Sequence, residues 1–267
     1  MSRIKAKLQK ISDSGRTALA AYIMAGYPTV QDTAPIVQGL IQGGADIIEI
    51  GYPFSDPIAD GPVIQNAGTA SLKGGISVHG IMEIIKNIRT FTDIPLALMT
   101  YSNIPYRYGY EKFAADLVQA GADGIILPDM PIEESSEYLE SARQHDISTI
   151  FLASPNTSDS RILKIAESSS GFLYMVAVYG TTGGTTPVQN YSVSAVRRIK
   201  KLTEGKIPLG VGFGVSTPED ARRYADAGAD AVIVGSALLR ILRDASDNNL
   251  TEAARSFVAR LKATLDE

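Results

Sequence analysis

The sequence predicts an α/β protein built as a single (β/α)8 TIM barrel with an N-terminal accessory helix, one domain over residues 1–267. Three observations predict it. A helix ending in Gly-Ala-Asp and feeding straight into an apolar strand recurs at Gly44-Ala45-Asp46-Ile47-Ile48-Glu49, Gly121-Ala122-Asp123-Gly124-Ile125-Ile126 and Gly228-Ala229-Asp230-Ala231-Val232-Ile233. About eight apolar, β-rich runs alternate with helical patterns over about 250 residues, the size and rhythm of this barrel. No Pro/Ser-rich or charged linker divides the chain. An open doubly wound sheet is the runner-up, but no Gly-x-Gly-x-x-Gly follows the first strand.

Taken in order, Ile4, Leu8 and Ile11 form one stripe of a basic N-terminal helix placed over one end of the barrel. Besides the three repeats, strands are expected at Ala18 to Ala25, Pro95 to Tyr101, Ser148 to Ser154, Gly171 to Val178 and Ile207 to Gly212. Helical patterns lie at Gln31 to Gln42, Val78 to Ile88, Tyr110 to Gln119, Ile132 to Gln144, Ser158 to Glu167, Ser192 to Leu202 and Thr217 to Asp226. A short helix opens at Gly235-Ser236, and Leu250 to Leu265 closes the chain as an amphipathic helix.

Composition narrows the function. With 45% hydrophobic and 20% charged residues the chain can bury a full core, and its net charge of -4 argues against nucleic acid or an anionic membrane as partner. There are no cysteines, so neither disulfides nor thiolate metal sites exist, and a cytoplasmic location is expected. No apolar run reaches spanning length, and the amino terminus lacks a secretory core. His79 and His145 are both expected at the surface, and no metal site is expected.

Glu49 stands inside an apolar strand, with no Lys or Arg between Ala18 and Val63 to pair with it. Burial opposes the ionised form and raises a carboxyl's pKa, which suits a group that gives a proton and takes one back. Asp60, on the following loop, is the second acid, placed to hold a polar edge of a substrate; Asp56 reads as a turn former beside Pro57. Counting five residues from the glycine of each repeat reaches Glu49, Ile126 and Ile233, which therefore face the same way. Tyr22, Met99, Tyr174 and Phe213 lie at strand ends and complete a flat apolar pocket for an aromatic ligand.

Glycines gather after the late strands, at Gly180 to Gly184, Gly212-Phe213-Gly214 and Gly235-Ser236. Free backbone N–H groups and a helix amino terminus make a phosphate cradle, a common feature after barrel strands 7 and 8. The Tyr179 to Gln189 connection is long and Gly/Thr-rich, as a closing loop would be. No Lys occurs in a strand, which removes a Schiff-base lysine. Carbon–carbon cleavage would then need a substrate carrying its own electron sink.

These residues resemble the tryptophan synthase alpha subunit family. The likeness runs through Pro53-Phe54-Ser55-Asp56-Pro57-x-Ala59-Asp60-Gly61-Pro62-x-Ile64-Gln65 with Glu49 just ahead, Met99-x-Tyr101-x-Asn103, Pro128-Asp129-x-Pro131-x-Glu133-Glu134, Gly212-Phe213-Gly214-x-Ser216-x-Pro218-Glu219 and Gly235-Ser236-Ala237. The first motif is long and specific; the glycine motifs are shared with many phosphate-binding barrels. The resemblance implies a lyase that cleaves indole-3-glycerol phosphate to indole and glyceraldehyde 3-phosphate in L-tryptophan biosynthesis. Glu49 would protonate carbon 3 of the indole and take the glycerol hydroxyl proton, while Asp60 accepts the indole N–H. The resemblance also puts the phosphate at Gly183, Gly214, Gly235 and Ser236, and has Thr182 meet Asp60 on loop closure.

A beta-subunit partner in an alpha2beta2 complex is implied too, with contacts around Pro53 to Asp60, Asn103 and Asp129 to Glu134. Pyridoxal phosphate is expected only in that partner, and no cofactor in this chain. Ala177-Val178 and Gly184-Thr185-Thr186 depart from the polar residues frequent in the family, and Asn103-Ile104-Pro105 from Asn-Pro-Ile. Three alternatives stand beside this reading: a stand-alone indole-3-glycerol-phosphate lyase, another phosphosugar barrel such as an isomerase or epimerase, and a non-catalytic regulator of a beta subunit.

Overall fold

The structure, a computed structural model, describes residues 2–177, 190–212, 214–245 and 249–267. Strands β1 (Ala18–Met24), β2 (Ile47–Gly51), β3 (Leu96–Met99), β4 (Gly124–Ile126), β5 (Ser148–Ile150), β6 (Leu152–Ala153), β7 (Leu173–Val176), β8 (Leu209–Gly212) and β9 (Ala231–Val234) are all parallel to their neighbours. They pair in the order β5-β4-β3-β2-β1-β9-β8-β7-β6. The two ends of that order, β5 and β6, are separated in sequence by Phe151 alone, so the sheet curls round on itself. The expected strand Ser148 to Ser154 is thus divided, one part pairing with β4 and the other with β7.

Helices α1 (Arg3–Asp13), α2 (Thr33–Gln42), α3 (Pro62–Lys73), α4 (Val78–Arg89), α5 (Asn103–Tyr108) and α6 (Tyr110–Ala120) accompany the first half of the sheet. Helices α7 (Ser136–Gln144), α8 (Asp159–Ser168), α9 (Asn190–Thr203), α10 (Pro218–Asp226), α11 (Ser236–Asp244) and α12 (Leu250–Asp266) accompany the second. Sequence patterning misses α3 and α5. The buried face of α3 includes Ala67, Gly68 and Ser71, too small to give an apolar stripe, and its Pro62 reads as a turn former although it sits in the first turn behind Gly61. The pattern Ile132 to Gln144 resolves into a 3-10 turn, Ile132–Glu134, followed by α7.

The N-terminal end of the barrel shows why the Gly-Ala-Asp unit recurs. Asp46 accepts the Leu19 N–H at 3.1 Å, Asp123 the Leu96 N–H at 2.8 Å, and Asp230 the Leu209 N–H at 2.7 Å. In return each aspartate's own N–H donates to the carbonyl of that same leucine, so the joint clamps the neighbouring strand from both sides. Every one of these carboxylates also meets a cation: Lys7 and Lys262 at Asp46, Arg3 and Arg89 at Asp123, Lys200 at Asp230. Helix α1, capped by the Ser2 hydroxyl, buries Ile4, Leu8 and Ile11 as its stripe requires. A Cβ on Gly124 would stand 2.8 Å from the Ile4 Cδ1, so Ile4 stops the bottom of the barrel.

His79 is exposed as expected, but His145 is not a free surface residue. It is half-buried where α7 ends, with Nε2 shielded from solvent and without a hydrogen-bond partner. Partial burial at a helix end escapes a reading based on polarity of neighbours alone.

Candidate active site

Glu49 lies on β2, opposite Tyr22 of β1 and Ala97 of β3 in register. Alternation along a strand sends Ile48 and Ile50 to one side of the sheet and Ile47, Glu49 and Gly51 to the other. The direction is fixed by electrostatics: the Glu49 charge is felt both by Tyr22 on β1 and by Tyr174 on β7, strands separated by β9 and β8. Only an inward side chain reaches both. Glu49 is fully buried, and neither carboxyl oxygen has a hydrogen-bond partner. Desolvation therefore pushes its pKa up from 4.5 to about 8, leaving the carboxyl mostly protonated at neutral pH.

Asp60 occupies the loop between β2 and α3 and is half-buried. Burial raises its pKa from 3.8 to about 6, opposed by a hydrogen bond from the Tyr101 hydroxyl. That hydroxyl also accepts the Ala59 N–H at 2.9 Å, and the Tyr101 ring stacks on Phe54 with centroids 5.3 Å apart. The loop is thereby tied to the end of β3, and Asp60 is held over the barrel mouth. The two acids end up with different charge states at neutral pH, one mostly a proton donor and the other mostly ionised.

Tyr22, the register neighbour of Glu49, lines an open cavity of about 530 Å³, its solvent-filled mouth included; Glu49 itself is not part of the lining. Of the residues expected to bind substrate, Tyr22, Met99, Tyr174 and Ile233 line it, and so do Asp60, Gly214, Gly235 and Ser236. Thr182, Gly183 and Phe213 fall outside the described residues, as does the whole Tyr179 to Gln189 connection. Ile126 corrects the expectation. It shares the inward register of Met99 but is fully buried and absent from the cavity wall. Ile126 packs beneath the pocket.

Two close approaches shape the walls. A Cβ on Gly51 would stand 2.2 Å from the Tyr22 hydroxyl, and one on Gly212 2.2 Å from the Tyr174 hydroxyl. Glycine at these strand ends lets each phenol lie flat across the barrel. At another part of the wall stand Gly214, held at φ +90° where glycine is favoured, and the start of α11 at Gly235-Ser236. Beside it Asp220 binds the Ser216 and Thr217 N–H groups and caps α10, fixing the connection from β8.

Some lining residues were not picked out from sequence: Ile64 on α3, Val215 and Ser216 after β8, and Ala237 and Arg240 on α11. Tyr101, the anchor of Asp60, was quoted only as part of a motif. For Arg240 a signal existed, since it follows Ser236 by one helical turn. Among the described residues no group of three or more His, Cys, Asp or Glu side chains could hold a metal ion. No helix among them is long and apolar enough to cross a membrane.

Comparison with known proteins agrees with this geometry. The family model described as tryptophan synthase alpha chain matches residues 8–265. The tryptophan synthase alpha chain of Methanosarcina barkeri is 45% identical over 247 residues, 92% of each chain, and that of Geotalea uraniireducens is 41% identical over 98% of this chain and 97% of its own. Among solved structures, tryptophan synthase subunit alpha from Legionella pneumophila superposes with a TM-score of 0.89 at 34% identity, covering 100% of this chain and 99% of that one. A tryptophan synthase structure from M. tuberculosis, described as an aminoacrylate-bound form, gives 0.87 at 33% identity over 99% and 100%. With its barrel, its inward Glu49 and the match along nearly its whole length, the chain belongs to the tryptophan synthase alpha chain family, lyases that cleave indole-3-glycerol phosphate in tryptophan biosynthesis.

Proposed function

We propose that Glu49 and Asp60 divide the retro-aldol cleavage of indole-3-glycerol phosphate between them. Glu49, protonated before reaction, gives its proton to carbon 3 of the indole and so turns the ring into an electron sink. Asp60, ionised, accepts the indole N–H and stabilises the positive charge that develops there. The carboxylate left at Glu49 then takes the proton of the glycerol hydroxyl; as the carbonyl forms, the carbon–carbon bond breaks and its electrons return to the ring. Indole and glyceraldehyde 3-phosphate leave, and Glu49 has recovered its proton. The observation that carries this reading is the buried Glu49 carboxyl with no partner on either oxygen, beside Tyr22, which lines the same cavity as Asp60.

In this reading Tyr22, Met99, Tyr174 and Ile233 sandwich the indole, Gly214, Gly235 and Ser236 hold the phosphate, and Thr182, Gly183 and Phe213 complete the enclosure. The chain works as one domain, in the cytoplasm, with a beta subunit in an alpha2beta2 complex. It needs no cofactor of its own; pyridoxal phosphate belongs to the partner. Support for a partner surface comes from Ile58 and Tyr106, 79% and 68% exposed although large and apolar, one on the Asp60 loop and one on α5. Indole-3-glycerol phosphate added to the purified chain is expected to release indole slowly, and faster once a beta subunit is present. Absence of indole under both conditions would overturn the proposal and favour a non-catalytic regulator.

A further inference from the structure

The two acids are supported unequally. Asp60 receives the Tyr101 hydroxyl and lines the cavity, whereas Glu49 has no partner on either oxygen and stands outside the lining. We infer that Tyr22 supplies the support Glu49 lacks, as a positioning residue whose hydroxyl donates to the Glu49 carboxylate once the proton has left it. This rests on the reading above, in which Glu49 is charged between its two proton transfers. A carboxylate formed in a water-poor site is costly unless a donor meets it, so the rate of a cycle that visits it depends on that donor.

Tyr22 is the register partner of Glu49 on β1. Its ring begins against Gly235, where a Cβ would stand 3.3 Å from the Tyr22 Cβ, and ends at Gly51, where a Cβ would collide with the hydroxyl. Gly51 is the next residue of β2 on the Glu49 face, about 7 Å further along the strand. The hydroxyl therefore overhangs β2 one step above Glu49, within hydrogen-bonding reach of a side chain that carries two methylene groups. Tyr22 also walls the cavity, so a carboxylate that it holds stays beside the substrate.

Burial opposes ionisation of this phenol, the charges of Asp60, Glu49 and Tyr101 oppose it further, and no hydrogen bond contributes. It keeps its proton at working pH, and toward a carboxylate only its donor role is open. Around Glu49, β3 presents Ala97 in register, and β7 presents Tyr174, which feels the Glu49 charge. The Tyr174 hydroxyl, however, ends at Gly212 of β8, separated from β2 by β1 and β9. The charged side chains of the cavity wall are Asp60 and Arg240, and neither contributes to the shift of Glu49, which comes from burial. Asp60 already has its phenol in Tyr101, which leaves that of Tyr22 for Glu49.

Titration of Glu49 itself and the pH profile of the reaction test this in the full-length wild type and in Tyr22→Phe, which keeps the ring. Infrared difference spectra against Glu49→Gln isolate the Glu49 carboxyl band. In Tyr22→Phe that band is expected to persist to a pH about one unit higher, because the carboxylate has lost a donor. With indole-3-glycerol phosphate and a beta subunit, kcat should fall about tenfold and KM should hold within about threefold. The alkaline limb of kcat/KM should move up by about the same unit while the acid limb stays. An unmoved Glu49 titration would overturn the inference, and so would a rise in KM alone, which marks Tyr22 as ring packing. Movement of the acid limb instead would put the hydroxyl on Asp60 and overturn it too. A Glu49 band that shifts as expected, in a protein whose wild type releases no indole, would leave the contact standing and overturn the reading of the reaction alone.

Discussion

The two ends of the barrel treat carboxylates in opposite ways. At the N-terminal end Asp46, Asp123 and Asp230 each accept a backbone N–H and face at least one Lys or Arg. At the C-terminal end neither oxygen of Glu49 has a hydrogen-bond partner among the described residues, and Asp60 has the Tyr101 hydroxyl. All are shielded from water to some degree, so burial alone does not separate them; the company each one keeps does. Paired acids hold strands in register. Unpaired ones keep a proton within reach of neutral pH, at a cost in stability that the paired ones offset elsewhere in the same sheet.

That contrast breaks first at Glu49. Glu49→Gln, which keeps the shape and removes the proton exchange, should lower indole release by about 100-fold to 10,000-fold while the folded protein is no less stable to denaturant. A rate within a few-fold of wild type would end the assignment. Next comes the opposite pole: Asp123→Ala leaves the Leu96 N–H without its acceptor and the partly buried Arg89, still held by backbone carbonyls, without its carboxylate, and is expected to cost about 3 kcal/mol in urea unfolding. Activity per folded molecule should persist, because nothing at the bottom of the barrel touches the cavity.

pH sharpens the comparison. The proposed cycle needs Asp60 ionised and Glu49 protonated, so kcat/KM should form a bell rising near pH 6 and falling near pH 8. Asp60→Asn should remove the acid limb. Stability carries a matching signature: the folded state holds the Glu49 proton more tightly than the unfolded chain does. Its contribution is complete below the unfolded value of 4.5 and declines as pH rises to about 8, and Glu49→Gln should abolish that slope. The smallest effect is expected at Lys200→Met, where the partner Asp230 keeps the Leu209 N–H and the ion pair is partly solvated; about 1 kcal/mol or less should be lost.

Much of this was legible in the residues. The Gly-Ala-Asp joints, the inward register shared by Glu49, Ile126 and Ile233, and the stripe on α1 all follow from period and spacing. Helices α3 and α5 did not, since one buries small residues and the other is a six-residue segment between β3 and α6. Ile126 lies on the face that the spacing gives it, in register with Met99, but outside the cavity wall, a difference that period and spacing do not carry.

By itself the sequence determined the barrel, the isolation of Glu49 from local cations and the glycines that follow the late strands, because these depend on short-range periodicity and on residue types that tolerate few alternatives. The tertiary structure decided which aspartates became clamps and which acid stayed unpaired. Lys262 reaches Asp46 and Arg3 reaches Asp123 from far along the chain, and Tyr101 finds Asp60 from the next strand. The charge state of a buried carboxyl is set by what packs around it in three dimensions, and closure of the sheet is what brings those neighbours together.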